Sequence, residues 1–221
     1  MQNMLKDAEI RKTIDHGSAG VFRAGHRMYV GGQWERIGRL QFAFLRNRAG
    51  LRPDHRVLDI GCGALRLGVH VIRFLEPGGY MGVEKEPELI RLGIERELGH
   101  DLYEQKRPAL IVSADFEFDR LPAKPDIAWA HSLFTHLTPD RISLCLRNLR
   151  AWIEPTGVLF ATFFEAFGPR ANPTVSHDQR RFAYTRRQME AAAEQAGWRV
   201  SYIGKWGHPR GQRMLRFEPK A

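Results

Sequence analysis

A glycine-rich turn preceded by an acid is the part of the sequence best suited to chemistry. In VLDIGCGALRLG (57–68), Asp59 stands just before Gly61 and Gly63, and glycine lets the backbone approach a ligand closely. The carboxylate would repel a pyrophosphate but suits a ligand with an ammonium and a sulfonium. Arg66 also stands where the dinucleotide fingerprint needs its third glycine. The turn therefore favours a cationic cofactor, although Asp59 alone also fits a carboxylate that caps loop amides.

Two further acids follow at the ends of later apolar segments. Glu84 ends the second of them, where an acid can accept hydrogen bonds from both hydroxyls of a ribose. Pairing with Lys85 is its alternative role. Asp115 follows the third segment and can accept from an adenine amino group while Phe116 or Phe118 lies against the ring. A turn-forming aspartate is the alternative there. The acids together predict a nucleoside site.

Histidines come directly after the fourth apolar segment, in HSLFTHL. Histidine titrates near neutrality, so His131 and His136 are the candidates for a general base. His136 also fits a packing residue that bonds a backbone carbonyl, and Glu165 is a weaker base candidate. The two cysteines, Cys62 and Cys145, are too few for a zinc site or a disulfide framework. No metal is expected.

A parallel sheet is the scaffold that would bring these residues together. Five apolar runs of strand length are continuous rather than alternating, which is typical of strands buried on both faces. They are 56–60, 80–84, 109–113, 126–130 and 157–164. Helices are predicted between and around them at 36–48, 87–98 and 139–153, and from a capping box at Thr185 and Gln188 to Gly197.

The last two strand-like segments, 199–206 and 212–218, are separated by only five residues. So short a link holds no crossover helix, and the pair should be antiparallel. The sequence therefore predicts a doubly wound α/β fold whose mostly parallel sheet ends in an antiparallel hairpin. Residues 1–35 are predicted to be an extension that acts as a lid. Residues 165–181 form a connection longer than the chain needs to join its neighbouring elements. We therefore expect residues 1–35 and 165–181 to cover the substrate pocket.

The 221 residues carry a formal charge of +9, and no run of five like charges appears. A solvated basic surface explains this better than a nucleic-acid partner, which is not favoured. The sequence contains no apolar run long enough to cross a membrane and no secretory signal at its start. A cytoplasmic location is therefore expected.

Five segments in order, VLDIGCG, GVEKEPELI, SADFEFD, DIAWAHSLFTHL and WIEPTGVLFATFF, resemble the motifs of class I S-adenosylmethionine-dependent methyltransferases. The resemblance covers residues 35–218 and implies a seven-stranded Rossmann-like sheet with S-adenosylmethionine as the cofactor. Carried over by position, the cofactor-binding residues are Asp59, Gly61, Cys62, Gly63, Arg66, Glu84, Lys85, Asp115, Phe116, His131 and Ser132.

The glycine motif departs from the family pattern at Leu65, where a third glycine is usual. The pair Leu65–Arg66 resembles a subset of the family. Arg66 is then a candidate partner for the cofactor carboxylate, and a helix-surface arginine is its alternative role.

The resemblance implies methyl transfer to an oxygen or nitrogen atom of a small molecule or glycan. An RNA or protein methyltransferase is the alternative that the positive charge supports. However, HSLF after the fourth strand has neither a Pro-Pro-Tyr signature nor a cysteine nucleophile. A non-catalytic cofactor-binding protein of the same fold is the third alternative.

Overall fold

Seven strands form a single sheet in the computed structural model of the chain, which describes residues 17–168 and 170–220. The strands are β1 Val57–Ile60, β2 Tyr80–Glu84, β3 Ala109–Val112, β4 Ile127–Ala130, β5 Val158–Phe163, β6 Trp198–Lys205 and β7 Arg213–Pro219. Their order across the sheet is β3-β2-β1-β4-β5-β7-β6. Strands β1 to β5 are parallel, and β7 is antiparallel to both β5 and β6. The predicted fold, including its terminal hairpin, is confirmed.

Helices cover the sheet and supply the rest of the core. They are α1 Gly17–Ala24, α2 His26–Tyr29, α3 Trp34–Asn47, α4 Gly68–Phe74, α5 Pro87–Leu92, α6 His100–Lys106, α7 Pro139–Ala151 and α8 Arg186–Gln195. Every residue of β1, β2 and β4 is buried, as their continuous apolar sequences predict. Thr185 and Gln188 form the predicted capping box at the start of α8.

The predicted helix over 87–98 is not a single α-helix. It is α-helical over Pro87–Leu92 and then π-helical over Gly93–Leu98. A Cβ atom on Gly93 would lie 2.8 Å from the backbone of Ala64 in the glycine turn. Glycine at this position therefore allows the helix to pack directly against that turn, a contact that helical periodicity does not reveal. The sequence analysis also missed α6.

Replacing Gly93 by alanine should lower the free energy of unfolding by about 1–3 kcal/mol, because its methyl group would overlap backbone atoms that have no room to move. Chemical denaturation measures the change. Gly168→Ala is the matched control, since open space surrounds that position. Equal stabilities of the two variants would contradict this account of Gly93.

Two short helices, α1 and α2, lie in the segment predicted to be an extension. Val21, Tyr29 and Trp34 form a small apolar cluster with Ala64 and Leu89, beside the glycine turn. The part of the predicted extension over 1–16 falls outside the described residues.

No helix among the residues that the structure describes is long and apolar enough to cross a membrane.

Candidate functional site

The strand order reverses between β1 and β4, which is the place where open α/β sheets bind ligands beyond the carboxyl ends of their strands. A cavity of about 740 Å³ lies there. The ends of β1, β2 and β4 form its floor. Residues 28–31, 176–179 and 209–210 line it from the N-terminal segment and from two loops. Its volume falls within the range of about 300–1,000 Å³ common for small-molecule sites.

The glycine turn adopts the left-handed conformation that its sequence predicts. Gly61 and Gly63 have φ values of 73° and 55°. A Cβ atom on Gly63 would lie 3.0 Å from Cγ1 of Val30 in the covering segment. Leu65 also has a positive φ, 65°. Leu65, which replaces the family's usual glycine, therefore keeps a left-handed backbone conformation in the turn. This conformation costs a non-glycine residue about 1–2 kcal/mol.

Asp59 lies at the edge of the cavity and is 4% exposed. The hydroxyl of Tyr80 donates a hydrogen bond of 2.8 Å to its Oδ2 atom. Burial raises the pKa of Asp59 from 3.8 to about 7, although Tyr80 and the positive charge of Arg66 act in the opposite direction. A cationic ligand beside this carboxylate would therefore favour its ionised form.

Glu84 holds the glycine turn and the end of β2 together. Its Oε2 atom accepts from the amide of Gly63 at 2.9 Å, and its Oε1 atom accepts from the amides of Lys85 and Glu86 at 2.9 and 3.1 Å. Burial raises its pKa, and the three amides oppose that shift. The carboxylate lines the cavity and keeps about one further lone pair, because a carboxylate accepts about four hydrogen bonds and three are already made.

Asp115 lies outside the set of residues that line the cavity. Its side chain is 71% exposed and accepts from Nη1 of Arg141 at 2.9 Å. Phe116 is buried and lines the cavity, with the guanidinium of Arg141 5.3 Å from the centre of its ring. The contact of Asp115 with an adenine stays a prediction.

Arg66 is not a helix-surface arginine, because it is 9% exposed and lines the cavity. Its Nη1 atom donates to the carbonyls of Val30 and Gly32 at 3.1 and 3.2 Å. Its Nη2 atom lies 3.3 Å from Nδ1 of His131. A guanidinium can only donate, so Nδ1 accepts and the proton of His131 is on Nε2. The lone pair of His131 is therefore already used, which argues against a role as a base.

His136 has the opposite arrangement. Its Nδ1 atom lies 3.1 Å from the carbonyl of His177 and 3.0 Å from that of Arg180. Carbonyls only accept, so Nδ1 carries the proton and Nε2 keeps a lone pair. Burial lowers the pKa of His136, which leaves the ring neutral at pH 7. His136 lines the cavity, and its Nε2 atom can accept a proton.

Of three other predicted contacts, Ser132 and Lys85 have partners within the chain. Ser132 lines the cavity, and its hydroxyl accepts from Nε2 of Gln212 at 2.7 Å. Cys62 also lines the cavity, and burial raises the pKa of its thiol. Lys85 pairs with Asp178. Within the described residues, no group of three or more histidine, cysteine and acidic side chains has the arrangement of a metal site.

Two covering segments meet above the cavity at Asp178. The hydroxyl of Tyr29 donates to Oδ2 of Asp178 at 3.0 Å, and the other oxygen pairs with Lys85. Four residues at the cavity were not predicted from the sequence: Tyr29, Asp178, Gln212 and Arg210. They come from segments distant in sequence, and no local motif marks them.

The fold is an α/β domain with an acid-lined crevice where its strand order reverses. Residues 58–159, a little less than half of the chain, match the family model described as a methyltransferase domain. The seven-stranded sheet with its terminal hairpin is the Rossmann-like fold of class I methyltransferases.

Several solved structures share the fold at low identity. Magnesium protoporphyrin IX methyltransferase from Synechocystis PCC 6803, with bound S-adenosylhomocysteine, is 16% identical with a TM-score of 0.64, covering 97% of this chain and 99% of its own. The CcbJ methyltransferase from Streptomyces caelestis is 16% identical with a TM-score of 0.63, covering 83% and 90%. Human N-acetylserotonin methyltransferase is 15% identical with a TM-score of 0.65, covering 91% and 58%.

Proposed function

We propose that the protein transfers a methyl group from S-adenosylmethionine to an oxygen or nitrogen atom of a small molecule inside the cavity. The observation that carries this proposal is the pair of buried acids, Asp59 and Glu84, at the strand ends that border one cavity. The chain's similarity to enzymes named for small-molecule substrates supports it.

The cavity residues fit the cofactor in chemical type. Asp59 would face its positively charged methionine end, beside the amides and open space of Gly61 and Gly63. Glu84 would accept from the ribose hydroxyls, and Phe116 would lie against the adenine. The predicted contact of Arg66 with the cofactor carboxylate stays a prediction.

The cofactor supplies an already activated methyl group on a sulfonium. The protein's own residues would therefore act by alignment, by excluding water and by holding a proton. The two covering segments, which carry Tyr29 and Asp178, would exclude water. His136 would take the proton of the attacking hydroxyl or amine on Nε2, while the carbonyls of His177 and Arg180 hold its ring.

Calorimetry with S-adenosylhomocysteine tests the cofactor site directly. A screen of metabolite fractions with methyl-labelled cofactor would then identify the acceptor. An electrophoretic shift of bulk RNA at physiological salt would favour the RNA methyltransferase instead. Absence of binding to S-adenosylhomocysteine by a folded protein would refute the proposal.

Binding of S-adenosylmethionine should weaken about tenfold between pH 8 and pH 6. Asp59 titrates near pH 7 in the free protein, and a cationic ligand binds its ionised form, so protonation competes with binding. Calorimetry across this pH range measures the affinity. Asp59→Asn should remove this pH dependence, and an equally steep dependence in that variant would assign it to another group.

The same ionisation should affect the stability of the free protein. The folded pKa of Asp59 lies above the unfolded value, so the stabilising contribution of the protonated form is lost as the pH rises from about 4 to about 7.

A further inference from the structure

A group of buried nitrogen atoms lies where β4, α3 and the β6–β7 loop meet. We call it the donor cluster. Its members are each less than 10% exposed, and each has a side-chain nitrogen without a hydrogen-bond partner among the described residues: Gln41, Arg66, His131, Trp206 and His208. Gln41, Arg66 and His131 line the cavity. Buried polar atoms normally have hydrogen-bond partners, so several unpaired nitrogen atoms in one place indicate a ligand site.

The unpaired atoms of the donor cluster carry hydrogens. The amide oxygen of Gln41 accepts from Nε1 of Trp129 at 2.8 Å, which leaves its NH₂ group unpaired. The Nδ1 atom of His208 accepts from the backbone amide of Arg210 at 3.3 Å, which places the proton on Nε2. His131 is likewise protonated on Nε2, and the remaining orphans of Arg66 and Trp206 only donate. The cluster therefore offers donors to a ligand and no acceptor.

The rings of the cluster form one packed unit beside two positive charges. The centres of His131 and His208 are 5.1 Å apart, and those of Trp206 and His208 are 5.4 Å apart. Burial lowers the pKa of His131, and the charges of Arg66 and Arg210 lower it further. Neutral donors next to guanidinium groups make up a site for an oxyanion.

We propose that the donor cluster binds a carboxylate, or a comparable oxyanion, that the methyl acceptor carries. This inference rests on the proposed function and names its substrate class, an acidic small molecule. The cluster lies on the β4–β7 side of the sheet, whereas Glu84 and Phe116 lie over β2 and β3. An acceptor that reaches Nε2 of His136 with one end could place its acidic group there.

Sodium acetate is the probe for this site. The protein saturated with S-adenosylhomocysteine should gain thermal stability with acetate in a saturable manner, relative to chloride at equal ionic strength. Arg210→Gln and His131→Phe should each weaken the apparent affinity for acetate by at least about tenfold, as expected for loss of a charge-assisted contact. Arg39→Gln is the matched control, because that arginine is exposed on α3. No saturable acetate effect in the wild-type protein would overturn the proposal.

A second experiment distinguishes binding of the acceptor's carboxylate from binding of the cofactor's carboxylate. Calorimetry compares S-adenosylhomocysteine with methylthioadenosine, which lacks the amino-acid portion. We expect both affinities to stay within about twofold in Arg210→Gln. If this variant loses affinity only for S-adenosylhomocysteine, the cluster serves the cofactor and the acceptor assignment is wrong. If the wild-type protein binds neither nucleoside, the proposed function fails, while the acetate titration of the free protein still tests the oxyanion site.

Discussion

His136→Asn is expected to slow methyl transfer by about 10²–10⁴-fold while leaving the affinity for S-adenosylhomocysteine unchanged. The Nδ2 amide of asparagine can replace the Nδ1–H donor toward the carbonyls of His177 and Arg180. The variant therefore keeps the local hydrogen bonds and loses only the lone pair on Nε2. The rate of labelled methyl transfer to the acceptor found by the screen, measured at saturating cofactor, tests this.

The pH profile separates a base from a packing residue. The wild-type rate should fall as the pH drops through the pKa of His136, which burial lowers below its usual 6.5. The rate of the His136→Asn variant should not show this fall at low pH. His100→Asn is the matched control, because His100 is exposed at the start of α6. A rate within threefold of wild type in His136→Asn would show that no base is needed at this position.

Glu84→Ala should weaken binding of S-adenosylhomocysteine by about 2–3 kcal/mol, which is roughly 30- to 150-fold. Two effects add. The ribose loses a charged acceptor, and the amides of Gly63, Lys85 and Glu86 lose the carboxylate that orders them. Calorimetry measures the affinity, and circular dichroism establishes that the variant is folded.

The control for Glu84 is a glutamate without contact to the cavity. Glu104→Ala removes an exposed carboxylate from α6 and should leave affinity unchanged. Glu84→Gln should show an intermediate loss of affinity for S-adenosylhomocysteine, since the glutamine amide keeps one acceptor oxygen. Unchanged affinity in folded Glu84→Ala would exclude this acid from the cofactor site.

The fold was largely predictable because the parallel strands β1, β2, β4 and β5 are almost entirely buried and therefore appear as continuous apolar runs. The observed bounds of β2 agree with its predicted run, β1, β3 and β4 differ from theirs by one residue at one end, and β5 differs by one residue at each end. Helices α1 and α6 were missed for a physical reason. Neither has a long apolar stripe, and α6 buries no residue at all, so periodicity gives no indication of them.

The candidate site was predictable only where strand ends mark it. The turn at Gly61 and Gly63, the acid Asp59 and the acid Glu84 all line the cavity as expected. Asp115 follows the same rule of position, yet its side chain turns outward to Arg141. Partners such as Tyr29 and Asp178 depend on contacts between segments about 150 residues apart, which no local pattern encodes.

The position of β7 has a consequence for how the chain is made. This strand is the last in sequence, yet it lies between β5 and β6, and β7 is the one strand with which β6 pairs among the described residues. Until β7 has been synthesised, the backbone edge of β5 has no neighbour on that side. An apolar strand edge left open in this way is a template for aggregation. A chain interrupted after β6 should therefore be lost to inclusion bodies rather than accumulate as a slightly shortened enzyme.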